Sequence, residues 1–340
     1  MPHKNIPIFI PHLGCPNQCV FCNQRSISGC GEFDEKAVDR QIREALSTVE
    51  KEDDVEIAFF GGSFTGIDRA LMIRLLDTAQ RYVDRGQVSS IRLSTRPDYI
   101  NREILDILSG YAVKTVELGL QSMDEDVLRA TRRGHTVKEA EDACRSVVDA
   151  GFFLVGQMMI GLPQSSLEKE VKTAEQICAL GASAARIYPT VVFYDTPLCS
   201  MAQMGAYKAL TTEQAAERTA EVLRIFVHRG VPCIRIGLCA SDALISDEAV
   251  FAGPNHPALG ELVWNAYHYG EICAAVERAG LTGQDVILEV EARACSKIIG
   301  QKRSNLIRLQ QETATCVKRV VQREDLSGVC VRPYHIQKKQ

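Results

Sequence analysis

Residues 11–23 read PHLGCPNQCVFCN, and they follow a short apolar segment, Ile6–Ile10, that predicts a strand. The loop places Cys15, Cys19 and Cys22 in a CxxxCxxC spacing. Three thiolates this close in sequence can bind three irons of a cubane cluster. Because a [4Fe–4S] cluster normally takes four cysteines, one iron would stay open. An open iron indicates a catalytic cluster rather than an electron-transfer cluster.

A zinc site is the alternative for these three cysteines. Structural zinc usually takes a CxxC pair together with a second pair of Cys or His residues, and Cys30, Cys144 and Cys178 are isolated in the sequence. The odd total of 13 cysteines in a chain of 340 residues argues against a disulfide framework. The three cysteines alone leave cluster and zinc open, and the motifs further along the chain favour the cluster.

The composition predicts a soluble, cytoplasmic protein with more than one domain. The chain is 46% hydrophobic, with no apolar run long enough to span a membrane and no secretory leader pattern at its start. The net charge of −4 is unevenly distributed, because residues 289–340 carry eleven Lys and Arg against five Asp and Glu. This basic segment on an acidic body suggests a polyanion as partner, although a solvated basic tail is equally compatible with the charge alone.

Short apolar segments alternate with helical patterns through the first two thirds of the chain, which is typical of parallel βα units. Two capping boxes, Thr136 with Glu139 and Ser165 with Glu168, predict helix starts. No dinucleotide-binding glycine pattern follows the first strand, so a barrel or partial barrel is favoured over a doubly wound sheet. The six predicted strands are Ile6–Ile10, Val55–Phe60, Ile91–Ser94, Val113–Leu118, Phe153–Ile160 and Ala184–Tyr188.

The pattern changes twice along the chain and predicts three regions. We expect a barrel over residues 1–235, an irregular or helical extension over 236–280, and a small α/β domain over 281–340. The fold class predicted is therefore α/β, with a partial (β/α)6 TIM barrel followed by a small C-terminal α/β domain.

Polar and glycine residues follow several of the predicted strands, where ligands bind in barrels of this kind. Gly61-Gly62-Ser63 ends the second strand, and paired glycines let the backbone approach a ligand and offer carbonyls to an ammonium group. The ends of the next three strands bring further candidates for ligand binding, namely Ser94, Gln121, Arg133 and Met158.

This ordered set of motifs resembles the radical S-adenosylmethionine (radical SAM) superfamily, and in particular its Elongator catalytic subunit branch without the acetyltransferase domain. The resemblance implies that Cys15, Cys19 and Cys22 ligate a [4Fe–4S] cluster and that Phe21 belongs to the cluster motif. In this family the amino and carboxylate groups of S-adenosylmethionine (SAM) occupy the open iron.

The same resemblance implies a role for each candidate at the strand ends. The glycine pair would hold the methionine amine, with Ser63 where the family often has Glu, and Ser94 stands where a ribose-binding residue, often Glu, is expected; Thr95 or Arg96 is an alternative there. Gln121 would bind the ribose and Arg133 the methionine carboxylate, while Met158 belongs to a strand that packs on adenine. The catalytic residues for the final reaction are unknown.

The C-terminal segment around Gly300-Gln301-Lys302-Arg303 resembles a KH module, which clamps nucleic acid with a GXXG loop. The second glycine is missing, and Lys302 and Arg303 instead offer two cations to a phosphate. The resemblance thus implies RNA binding at Gly300, Lys302 and Arg303. The alternative is a KH-like domain that binds nothing.

Together these resemblances imply an enzyme that cleaves SAM with one electron to form a 5′-deoxyadenosyl radical, and that modifies RNA, with tRNA as the leading candidate. An electron donor such as ferredoxin or flavodoxin would be its partner, with no membrane involved. Two alternatives remain open. One is a radical SAM enzyme or haem-handling protein of the coproporphyrinogen oxidase type that acts on a small molecule. The other is a non-enzymatic RNA-binding protein with a vestigial cluster.

Overall fold

A computed structural model describes residues 3–10, 13–15, 19–23, 33–50, 54–238 and 248–334. The chain divides into two compact units, Met1–Pro257 and Ala258–Gln340. The second unit therefore includes the helix Leu259–Arg278, which the sequence analysis assigned to the extension between the two domains.

The first unit is built on a parallel seven-stranded sheet of order β1-β2-β3-β4-β5-β6-β8. This half-barrel confirms the predicted partial TIM barrel. The sequence analysis anticipated six of its strands and missed the seventh, the short edge strand β8. The strands are β1 His3–Ile10, β2 Asp54–Gly61, β3 Ser90–Thr95, β4 Val113–Gln121, β5 Phe153–Ile160, β6 Ala184–Pro189 and β8 Cys233–Ile236. Between the last two lies β7 Val192–Phe193, which pairs antiparallel with β9 Val250–Ala252.

Helices cover the outer face of this sheet, as expected for parallel strands that are buried on both faces. Residues such as Ile57, Leu93 and Val116 are fully buried between the two layers. The helices are α1 Val38–Leu46, α2 Arg69–Asp84, α3 Arg102–Ser109, α4 Glu125–Ala130, α5 Val137–Asp149, α6 Leu167–Ala179, α7 Pro197–Gln203 and α8 Thr212–His228.

The two predicted capping boxes have different outcomes. Thr136 and Glu139 form the expected box at the start of α5, each side chain bonding the other residue's backbone N–H. At α6 the prediction is wrong by one residue, because Ser166 is the N-cap and accepts from the backbone of Lys169. Ser165 instead donates its hydroxyl hydrogen to the buried carboxylate of Glu170, at 3.0 Å.

A ladder of buried charged side chains crosses one face of the sheet, at positions where barrels usually have aliphatic residues. Arg92 donates to Glu56 and to Glu117, each at 2.9 Å. On the other side of Glu117, Arg186 donates at 3.0 Å and the amide of Gln157 at 2.9 Å. The two carboxylates and two guanidinium groups balance in charge. The sequence analysis did not anticipate this ladder.

The second unit is a small α/β structure around its own hydrophobic core, which includes Val286, Leu288 and Leu309. Its three-stranded sheet has the order β11-β10-β12, with β10 parallel to β11 and antiparallel to β12. Its elements are α9 Leu259–Arg278, β10 Asp285–Glu291, α10 Cys295–Ile299, α11 Ser304–Thr313, β11 Cys316–Arg323 and β12 Val329–Pro333.

The predicted RNA-binding loop connects α10 and α11 in this second unit. Gly300 has a φ of 75°, and a Cβ there would lie 2.3 Å from the Ser304 hydroxyl, so the loop requires glycine at this position. Lys302 and Arg303 also have positive φ, at 51° and 62°, and both are exposed. The KH-like assignment stays a prediction. Within the described ranges, no helix in either unit combines the length and the apolar character that crossing a membrane requires.

Candidate cofactor site

The cysteine loop follows β1 at the carboxyl edge of the sheet. Cys19 is 3% exposed, whereas Cys15 and Cys22 are partly exposed. The backbone between the last two cysteines is fixed by its neighbours, since Val20 donates to the carbonyl of Thr131 at 3.1 Å and accepts from the N–H of Leu198 at 2.9 Å. Phe21 packs with the small apolar cluster around Val192 and Leu198.

Among the residues that the structure describes, no three His, Cys, Asp or Glu side chains are grouped tightly enough to hold one metal ion. A cubane cluster does not require such a group, because each cysteine ligates a separate iron. The absence of a single-ion site therefore does not test whether Cys15, Cys19 and Cys22 ligate a cluster, and this role stays a prediction.

The glycine turn after β2 lies directly against the start of the cysteine loop. Gly62 donates its N–H to the carbonyl of Ile10 at 2.7 Å, and Ser63 donates to the carbonyl of Leu13 at 3.0 Å. A Cβ on Gly62 would lie 2.0 Å from that Leu13 oxygen, and a Cβ on Gly14 would lie 2.3 Å from the Ser63 oxygen. The two segments therefore interlock through main chain alone, which only glycine allows at these positions.

Ser63 contributes its hydroxyl to a chain of buried hydroxyl groups. Its Oγ lies 2.8 Å from Thr95 Oγ1, which lies 2.6 Å from Thr65 Oγ1. Thr65 in turn donates to the carbonyl of Tyr99 at 3.0 Å. Ser63 is fully buried, so its hydroxyl joins the ends of β2 and β3, and a contact with the cofactor stays a prediction.

Two other predicted cofactor residues, Ser94 and Met158, differ in their exposure. Ser94 is partly exposed on β3 and accepts a hydrogen bond from Gln157 Nε2 at 3.2 Å, which links it to the charged ladder. Met158 is fully buried in the hydrophobic core, while the neighbouring Met159 is partly exposed. A cofactor contact for Ser94 or Met158 stays a prediction.

Gln121 and Arg133 come together at the end of β4, although they are twelve positions apart in the sequence. Both side chains lie over Gly119, where an added Cβ would approach Gln121 Nε2 at 3.0 Å and Arg133 Nη2 at 3.1 Å. Arg133 is 6% exposed, donates from Nη2 to the carbonyl of Gly119, and donates from Nη1 to Cys19 Sγ at 3.3 Å. The predicted pair therefore lies beside a predicted cluster cysteine.

Two further residues complete this part of the site. Arg96 is 3% exposed and hydrogen-bonds the carbonyl of Arg133 through Nη2. His135 is buried, with Nδ1 3.3 Å from the carbonyl of Thr136. The pKa of His135 is lowered to about 4, mainly by burial and to a smaller extent by the positive charges of Arg133 and Arg96. The ring is therefore neutral at pH 7. The sequence offered Arg96 only as a substitute for Ser94 and treated His135 as structural or capping.

Four buried polar atoms in this cluster lack a hydrogen-bond partner among the described residues. They are Arg96 Nη1, Gln121 Oε1, Arg133 Nε and His135 Nε2. Buried polar atoms in folded proteins are nearly always satisfied by protein, water or ligand. Two cationic donors and two neutral side chains suit a ligand that carries a carboxylate together with hydroxyl groups. The residues present therefore fit SAM.

Comparison with known proteins supports the same conclusion. The family model for the radical SAM superfamily matches residues 9–177, and the model for the radical SAM C-terminal domain matches residues 182–268. The chain belongs to the radical SAM superfamily. It is accordingly an enzyme that uses a [4Fe–4S] cluster and SAM, as the resemblance of its motifs predicted.

Among curated proteins, this radical SAM enzyme is 31% identical over 205 residues to Elongator complex protein 3 of Danio rerio, covering 54% of this chain and 37% of that protein. It is 29% identical over 223 residues to the uncharacterized protein MJ0486 of Methanocaldococcus jannaschii, covering 62% and 67%. The chain thus spans well under half of the length of the Elongator relative.

A solved structure, the archaeal Methanocaldococcus infernus Elp3 with an N-terminal deletion, superposes with a TM-score of 0.60 at 20% identity. The match covers 83% of this chain and 66% of that one. At this identity the likeness concerns the fold, and it agrees with the half-barrel described above.

Proposed function

We propose that this radical SAM enzyme modifies RNA, with tRNA as the leading substrate class. In this proposal Cys15, Cys19 and Cys22 ligate the cluster, and the half-barrel binds SAM. The relatives named Elongator complex protein 3 support the branch, and the basic loop of the second unit supports a polyanionic substrate.

One observation carries the assignment of the cofactor site, namely the position of Arg133. Its guanidinium group lies between Cys19 Sγ and the carbonyl of Gly119, and Gln121 lies over the same glycine. This arrangement suits a ligand that bridges the cluster and the end of β4. Arg133 would pair with the methionine carboxylate and Gln121 with the ribose, while the Gly61-Gly62 turn would accept from the methionine amine.

When bound, the cluster and SAM would together supply one-electron chemistry that removes a hydrogen atom from the substrate. The chain's own contribution is to hold and orient the cofactor. The interlocked main chain of Gly14, Gly62 and Ser63 fixes the start of the cysteine loop relative to the sheet. Burial of Cys19 and Arg133 keeps water away from that side of the site.

We infer further that the enzyme works in the cytoplasm, with ferredoxin or flavodoxin as electron donor. The buried Cys144, Cys199 and Cys295 are thiols rather than disulfides, which agrees with a reducing compartment.

The test of the cofactor site begins with anaerobic reconstitution. We expect about four irons per chain in the wild-type protein and loss of the cluster in Cys19→Ala. Cys144→Ala is the matched control, because Cys144 is equally buried but lies on the core-facing side of α5. Tightly bound zinc in place of iron, or full iron content in Cys19→Ala, would contradict the assignment.

The test of RNA binding uses the exposed cations of the second unit. Phosphate contacts weaken as salt rises, so the double variant Lys302→Ala/Arg303→Ala should bind RNA more weakly and with a salt slope smaller by roughly 1 to 2. SAM cleavage without substrate should be unchanged. The matched control is Lys318→Ala/Arg319→Ala, which removes an equal charge from exposed positions of β11 in the same unit.

Three outcomes would separate the candidate functions. Equal losses in the two double variants would indicate a general effect of charge rather than a binding loop. No RNA retention by the wild-type protein at low salt would overturn the RNA proposal and favour a small-molecule substrate. RNA retention without any SAM cleavage by the reduced, reconstituted protein would instead indicate a binding protein.

A further inference from the structure

Arg96 joins three segments at the carboxyl edge of the half-barrel. Its Nε and Nη2 donate to the two carboxylate oxygens of Asp98, at 2.9 and 3.0 Å. Its backbone N–H donates to Ser63 Oγ at 3.2 Å, after the glycine turn. Its Nη2 also bonds the carbonyl of Arg133, where the chain passes the cysteine loop. The guanidinium group is thus held in one orientation from several sides.

The charges around this group do not balance within the described residues. Asp98 neutralises Arg96, but the recorded partners of Arg133 are a carbonyl oxygen and the sulfur of Cys19, with no carboxylate among them. A buried cation without a counter-ion is strongly unfavourable, so this side of the site is complementary to an anion. Arg133 Nη1 lies 3.3 Å from Cys19 Sγ, so this side of the site adjoins a predicted cluster cysteine.

The buried atoms without a hydrogen-bond partner also indicate an anionic ligand. Within the part of the chain that the structure describes, each arginine has one buried nitrogen that meets no acceptor, Nη1 in Arg96 and Nε in Arg133. Two such donors on neighbouring guanidinium groups match the two oxygens of one carboxylate. SAM offers one such group, the carboxylate of its methionine part.

We propose that Arg96 is a second binding residue for the carboxylate of SAM, acting together with Arg133 and held in place by Asp98. Arg96 presents Nη1 to the carboxylate, and its bond to the Arg133 carbonyl fixes the distance between the two arginines. Because Asp98 already orients the side chain, little conformational freedom is lost when the cofactor binds. The proposal depends on the use of SAM by the enzyme and is independent of the RNA substrate.

The test compares two ligands that differ only in the carboxylate. Equilibrium dialysis under anaerobic conditions would measure the affinity of the cluster-reconstituted protein for SAM and for decarboxylated SAM. Arg96→Ala should weaken SAM binding about tenfold to a hundredfold, as expected for loss of a charge-assisted hydrogen bond. Binding of decarboxylated SAM should change by less than about threefold, because that ligand never makes the contact.

Arg96→Lys distinguishes charge from geometry. It keeps the positive charge but loses the forked donor arrangement, so its loss of SAM affinity should lie between those of the wild-type protein and Arg96→Ala. Arg102→Ala is the control, since that side chain is 95% exposed on α3 and should leave both affinities unchanged.

Iron content and the free energy of unfolding are measured for every variant, so that loss of the cluster is seen directly. If Arg96→Ala does not assemble a cluster, Arg96→Lys carries the comparison between the two ligands. Equal weakening of both ligands would show that Arg96 acts only on the structure, and unchanged SAM binding would show that it makes no contact. Either result overturns the proposal.

Discussion

The interlocked main chain beside the cysteine loop predicts a large effect for Gly62→Ala. A Cβ on Gly62 would lie 2.0 Å from the carbonyl oxygen of Leu13 and 2.9 Å from that of Ile10. Real Cβ contacts are essentially never shorter than 3.0 Å, so the Leu13 carbonyl would have to move by about 1 Å. Gly62 does not have a positive φ, so alanine can adopt its backbone conformation and the effect is steric.

The magnitude follows from what that movement disturbs. Overpacking a well-packed site costs about 1–3 kcal/mol. The hydrogen bond from Ser63 to the Leu13 carbonyl, 3.0 Å long, would be stretched or lost, at about 1 kcal/mol. We therefore expect the free energy of unfolding to fall by roughly 2–4 kcal/mol. Because Cys15 is two residues after Leu13, cluster assembly should weaken as well.

Urea unfolding and iron analysis after anaerobic reconstitution measure the two effects. Gly110→Ala is the matched control, because this glycine has a φ of −76° after α3 and its nearest contact for a Cβ is 3.2 Å from the Ile107 carbonyl. Its unfolding free energy should stay within about 1 kcal/mol of wild type. Wild-type stability and a full complement of iron in Gly62→Ala would refute the argument that the two segments interlock.

Two other predictions concern buried charge. The unfolded chain protonates His135 below pH 6.5 and the folded protein only below about pH 4, so the free energy of unfolding should decrease by up to about 3 kcal/mol as pH falls through this range. His135→Gln should remove that part of the pH dependence in urea titrations. Glu117→Gln, which leaves Arg92 and Arg186 short of a carboxylate, should cost about 3–5 kcal/mol, whereas the exposed Glu103→Gln should cost little. Equal stability of the two Glu variants would show that the ladder contributes nothing net.

The sheet could be predicted from the sequence wherever a strand is an apolar run that ends at a glycine or a polar motif. The six predicted strands, β1 to β6, come closest to this form, since strands of a parallel sheet covered by helices are rich in apolar residues. β8 does not have this form. It is four residues long, Arg235 interrupts it, and its residues are only partly buried at the edge of the sheet. No periodicity could have distinguished it from a loop.

The site shows a different limit of sequence reasoning. The motif resemblance identified Gln121 and Arg133, but their shared position over Gly119 coincides with an irregular register between β4 and β5 and with a φ of 68° at Gln121. A bulge of this kind redirects side chains, and it has no signature in an apolar pattern. Arg96 was harder to assign, because a Thr-Arg-Pro-Asp run suggests a turn, whereas its charge pairing is visible only in three dimensions.

The charged ladder was missed for a related reason. In the sequence, Glu56, Arg92 and Arg186 stand at alternate positions of strands, which is also the pattern of a face in contact with solvent. Whether that face closes on itself depends on the curvature of the whole sheet. The ladder's hydrogen bonds satisfy Glu117 from three strands at once, and this explains how an acidic side chain can be fully buried there.

The two proposed binding surfaces differ in how their cations are held before binding, and this predicts different energetics. Arg96 and Arg133 are buried and fixed by protein acceptors, so a ligand meets donors that are already oriented, in surroundings that salt screens little. Lys302 and Arg303 are exposed, so RNA binding would have to order their side chains and would weaken with salt. The affinity for SAM should therefore depend much less on ionic strength than the affinity for RNA. This difference allows the two activities to be separated within one chain.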